Sequence, residues 1–68
     1  MKTSVRQLKV GDTIAVWWKP NRDTITKLTR YDGPLLGLLG EGTMLAEFAL
    51  NKTGMTLEAG SFYEVFNR

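Results

Sequence analysis

The 68 residues are enough for one small domain, 1–68, and a chain of this size buries only about 60% of the surface it exposes when unfolded. It has neither cysteine nor histidine, which excludes disulfides and leaves only carboxylates for a zinc site, so packing of the 43% apolar residues must supply the stability. Nine Lys and Arg against seven Asp and Glu give a net charge of +2 and an isoelectric point near 9.2, an excess too small to identify a nucleic-acid partner by itself.

Met1 to Gly11 holds no apolar run between its charges, and so does not read as a signal peptide. Ser4 to Leu8 reads as one helical turn capped by Ser4, with Val5 and Leu8 on one side. Lys9-Val10-Gly11-Asp12 is a tight turn in which Gly11 supplies a positive φ. A first strand over Thr13 to Trp18 places Ile14, Val16 and Trp18 on one face, with Ala15 and Trp17 on the other. Adjacent tryptophans on a strand cannot enter the same core, so Trp17 is expected to face outward.

The second strand, Thr24 to Tyr31, breaks phase, because Ile25 and Leu28 cannot share a face of a regular strand. A β-bulge near Thr26-Lys27 restores both to the interior. Leu35 to Leu39 is apolar on both faces and reads as a third strand, covered twice or lying at an interface; interrupted by Gly37, it is far too short to cross a bilayer. The Gly40-Glu41-Gly42 turn then makes a hairpin with a fourth strand, Thr43 to Leu50, whose Met44, Ala46, Phe48 and Leu50 point inward and whose Thr43, Leu45, Glu47 and Ala49 point outward. Met55 to Glu58 and Phe62 to Phe66 are two short strands across Ala59-Gly60-Ser61. In the last of them, inward Tyr63 and Val65 leave Phe62 and Phe66 outside around Glu64. The opposite phase buries Glu64 as well, which costs several kcal/mol unless the carboxylate is paired.

Five or six short antiparallel strands, a longer first loop and a tight central hairpin resemble an SH3-like small β-barrel over Leu8 to Phe66, an all-β fold. An OB-like barrel is the runner-up, although it normally needs more residues and a helix between its third and fourth strands. The acidic loop and aromatic ladder of polyproline-binding SH3 domains are not recognisable, and architecture alone does not license function. With no membrane segment and no leader, a cytoplasmic protein is expected, and the absence of cysteine agrees.

The missing imidazole and thiol remove the commonest general base and the commonest covalent nucleophiles, so the protein is expected not to be an enzyme. The carboxylate pairs Asp23/Asp32 and Glu47/Glu58 show no motif. No catalytic, cofactor or metal residues are assigned. Gly37 to Met44 superficially suggests a phosphate-binding loop, but Thr43 stands where lysine is needed, and a strand pattern follows. Asn51-Lys52-Thr53 matches a glycosylation sequon and, without a secretion signal, reads as turn chemistry.

The distinctive stretch is Trp17 to Asp23. Lys19, Arg22, Lys27 and Arg30 lie in or near the first hairpin, flanked by Trp17 and Tyr31. Cations interleaved with aromatic rings suit single-stranded nucleic acid: charge neutralises phosphate, and every base offers a π-face. The bland reading of the same residues is a solvated hairpin partly neutralised by Asp23 and Asp32. A binding module contacting single-stranded nucleic acid through Trp17, Lys19, Arg22, Lys27, Arg30 and Tyr31 is the first choice. The alternative is a protein-interaction or homodimer surface built on Trp17, Phe62 and Phe66 together with Leu36 or Leu38.

Overall fold

A computed structural model describes residues 1–68. Strands β1 (Lys2–Ser4), β2 (Thr13–Ala15), β3 (Arg22–Arg30), β4 (Met44–Phe48), β5 (Met55–Leu57) and β6 (Phe62–Glu64) are joined by a 3₁₀ turn at Val5–Gln7 and a single α-helical turn, α1, at Leu36–Leu39. Two antiparallel sheets result: a four-stranded meander in the order β2-β3-β4-β5, curled into a half-barrel, and the pair β1-β6. A bridge between Ile14 and Val65 joins the end of the pair to β2. No helix is long and apolar enough to cross a membrane.

β3 is the spine of the larger sheet. It is rich in β-branched residues, which suit a pleated, half-buried surface, and it pairs with β2 at one end and with β4 over most of its length. The expected bulge is present: the β3–β4 register steps between Ile25 and Lys27, so Thr26 is the extra residue. Ile25 is thereby buried, and Leu28 packs against the same core. That core is Val5, Leu8, Ile14, Ile25, Ala46, Phe48, Leu57 and Val65, drawn from both sheets and the 3₁₀ turn.

Several expectations need correction. Leu35 to Leu39 is not a strand. Leu39 N–H and Gly40 N–H donate to the carbonyls of Leu35 and Leu36, each four residues back, closing a helical turn with no neighbouring strand. Leucine is a strong helix former, and a short apolar run does not distinguish the two conformations. Leu38 is 86% exposed on this turn, and Gly40 to Gly42 leads out of it into β4 and joins no hairpin.

Thr43, expected outside, is fully buried. Its hydroxyl donates to the Gly40 carbonyl at 2.8 Å and accepts from Ala59 N–H at 3.1 Å, so burial leaves it satisfied. Leu50, expected inside, is 63% exposed, because β4 ends at Phe48 and the chain turns so that Leu50 N–H faces Asp23. Ser4 makes no side-chain cap. β5 and β6 do not pair with each other: β5 adds to β4, and β6 takes β1. Gly54, in the β4–β5 connection, has φ +93°, and a Cβ there would sit 2.6 Å from the Ala46 carbonyl oxygen, so the loop closes only with glycine.

A candidate binding surface at the first hairpin

The β2–β3 connection is short and tightly bonded. Val16 N–H donates to Asn21 O at 3.2 Å and Asn21 N–H to Trp18 O at 2.6 Å. Asn21 adopts φ 72°, a left-handed conformation that its short polar side chain tolerates, after a cis Lys19–Pro20 bond. The first strand ends at Ala15, short of the expected Trp18, so the two tryptophans lie in the bend after β2 and separate there without strand alternation. Trp18 turns inward, its ring edge-on to Phe48 with centroids 5.1 Å apart. Trp17 stays outside at 78% exposure and meets Trp18 in a T-shaped contact at 5.4 Å.

Beneath this pair lies a buried carboxylate. Asp23 is 3% exposed and accepts from Trp18 Nε1 at 2.8 Å, Thr24 N–H at 2.8 Å, Leu50 N–H at 3.1 Å and Asn51 N–H at 3.0 Å. Burial alone pushes its carboxyl up. The hydrogen bonds from Trp18, Leu50, Asn51 and Thr24 outweigh that and hold it below the usual carboxylate value, so Asp23 is an anion at neutral pH. It also ties the β4–β5 connection to the hairpin tip, which brings the exposed Lys52 to the same end of the molecule as Lys19 and Arg22.

On the outer face, Arg22 pairs with Ala15 of β2, and its guanidinium lies over the Phe66 ring at 4.1 Å. The reach is possible because β2 presents only small side chains there, Ala15 and Thr13. Thr13 is further occupied by a 2.7 Å hydroxyl contact with Thr24. Neither Lys19 nor Arg22 forms an ion pair.

The remaining sequence candidates lie elsewhere. Lys27, midway along β3, faces Glu47 at 3.7 Å in an exposed pair of little energetic weight. Arg30 ends β3, eight residues or about 25 Å from Arg22. Half-buried Tyr31 follows it and accepts a 3.4 Å bond from Leu35 N–H at its hydroxyl. With Asp32, Leu36 and Glu41 they line a cavity of about 250 Å³. The structure therefore groups Trp17, Lys19 and Arg22, and sets Arg30 and Tyr31 at the other end of the strand. Phe62 is 65% exposed on β6, and Phe66 is also outside, with Glu64 between them holding the N-terminal ammonium.

Sequence reasoning missed Phe66 as the partner of Arg22, and Lys52 as a neighbour of the hairpin. Both depend on contacts across more than 25 positions, for which no local pattern exists. No protein-family model, curated protein or solved structure matches the chain.

Proposed function

We propose that the protein is a non-enzymatic binding module that contacts single-stranded nucleic acid through the end of the molecule bearing Trp17, Lys19, Arg22, Phe66 and Lys52. The observation that carries the reading is an indole 78% exposed yet backed by a fixed second indole, beside the cations Lys19 and Arg22, which form no ion pair. Such a ring offers a stacking platform, and unpaired cations are available to phosphate. The scaffold is best read as an SH3-like barrel: a meander β2-β3-β4-β5 whose first strand is also bridged by the residue after β6 supports that reading. The four-residue α1 gives the OB-like alternative little support.

Titration with a mixed-sequence single-stranded oligonucleotide tests this. Two or three phosphate contacts give a log-log salt slope of about 1.4 to 2. Trp17→Ala should cost about 1 to 3 kcal/mol of affinity with the slope unchanged, and Lys19→Ala with Arg22→Ala should flatten the slope. No binding at low salt defeats the reading.

A second reading rests on Phe62, which is widely exposed and lies on the same chain segment as Phe66. With Trp17 these rings supply an apolar surface for a protein partner or a second copy of the chain. Sedimentation over a concentration series detects the homodimer, and a strict monomer removes it. A cytoplasmic setting accords with either partner.

A further inference from the structure

An exposed aromatic ring that binds a ligand by stacking has to be ordered at some point, either before the ligand arrives or at the ligand's expense. Trp17 is solvent-exposed, but the group behind it is not free to move. Trp18 is fixed at two places: its Nε1–H points to Asp23 Oδ2 at 2.8 Å, and its ring meets Phe48 at 5.1 Å and 72°. Asp23 is itself immobilised by backbone N–H groups from its own strand and from the β4–β5 connection. The Trp17 ring stands perpendicular to Trp18, at 88°.

We infer that Asp23 and Trp18 are positioning residues that hold Trp17 in its ligand-ready orientation, an inference that rests on the binding role given to Trp17 above. Neither residue touches the ligand. The buried carboxylate fixes one indole so that the exposed one is pre-ordered, and the ligand avoids the entropic cost of ordering it. A purely structural role for Asp23, as a tie between two loops, predicts no effect of the Trp18 N–H on Trp17.

Trp18→Phe separates the two roles. It keeps an aromatic ring against Phe48 and leaves Asp23 its backbone donors, while removing the indole N–H. Two readouts are taken on parent and variant: the heteronuclear NOE of the Trp17 indole N–H in the free protein, and the affinity and salt slope for the mixed-sequence single-stranded oligonucleotide. The expected result is a lowered NOE for Trp17, affinity about three- to tenfold weaker, as expected for ordering one side chain, and an unchanged slope, because the cations are untouched. An unchanged NOE overturns the inference whatever happens to affinity. A lowered NOE with parental affinity overturns the claim that the orientation serves the ligand. If the parent protein binds no oligonucleotide, the binding reading fails separately, and the NOE alone decides whether Asp23 and Trp18 hold Trp17. Should Trp18→Phe lose the native amide spectrum, Asp23→Asn supplies the same pair of readouts with both indoles retained.

Discussion

Asp12, in the turn before β2, and Asp23, at the start of β3, are equally buried at 3% exposure, yet they are satisfied by different chemistry. Asp12 faces a cation: the Arg68 guanidinium reaches both of its oxygens, Nη2 at 2.6 Å and Nε at 3.2 Å, and Lys9 N–H adds a bond of 2.9 Å. Asp23 has no cation within ion-pair distance and is held by an indole N–H and backbone amides. The first arrangement gathers its stabilisation in one side chain 56 residues away. The second spreads it over donors that the fold itself positions. A buried charge held by distributed dipoles is insensitive to salt and to most single substitutions around it, whereas a charge held by one partner depends on that partner.

The comparison can be broken in several places. The largest effect is expected at Phe48→Ala, which opens the core and removes the backing of Trp18 over Asp23: about 3 to 5 kcal/mol by denaturant titration, close to the whole stability of a small domain. Melting within a few degrees of the parent would show that the Asp23 side of the molecule does not rest on this ring. Asp23→Ala comes next. It strips the acceptor from several buried N–H groups at once and should cost about 3 kcal/mol.

Arg68→Ala is expected to destabilise less than Asp23→Ala, because water can reach the Asp12 site once the arginine is gone. Its effect should shrink in molar salt, where that of Asp23→Ala persists. Equal losses for the two, or equal salt dependence, would erase the distinction.

Acid is the mildest probe. The Arg68 hydrogen bond, opposed by burial, holds the Asp12 carboxyl below its ordinary value of 3.8, and the Asp23 carboxyl is also lowered. A carboxyl lowered on folding contributes stability that is present above its unfolded value and lost as the pH falls through the folded one. Melting temperature should therefore fall below about pH 4, and Arg68→Ala should remove the Asp12 share of that slope while leaving the Asp23 share. An acid limb identical in parent and Arg68→Ala would mean that the pair does not matter to Asp12.

Much of the strand phasing was legible because it is local. Ile14 inward, the extra residue at Thr26, Ala46 and Phe48 inward, and Val65 inward between Phe62 and Phe66 all follow from period-two alternation on a sheet with one buried face. Leu35 to Leu39 was not legible, since a leucine-rich run satisfies a covered strand and a helical turn equally well. The burial of Thr43 and Asp23 was hidden for another reason. A polar residue enters a core only when its partners are there to receive it, and those partners, Ala59, Leu50 and Asn51, arrive from 16 to 28 positions further along the chain. The candidate site has the same character. Trp17 is exposed as expected, though in a bend beyond the strand whose alternation suggested it, and the Phe66 ring beneath Arg22 follows from the Ile14–Val65 bridge, which no sequence window contains.

The single extra residue at Thr26 also governs how charge is distributed over the protein. Arg22 and Arg30 have the same parity in sequence, and on an unbroken strand both would project from the outer face. With one residue inserted, Arg22 stays outside over Phe66, while Arg30 falls in phase with Leu28, on the core side at the rim of the barrel. The insertion thus puts Lys27 outside with Arg22 and leaves Arg30 alone on the core side. A deletion at Thr26 that preserved the ladder would leave this division in place, with Arg22 and Lys27 outside and Arg30 on the core side, because it brings the two arginines one position closer and so gives them opposite parity on a regular strand.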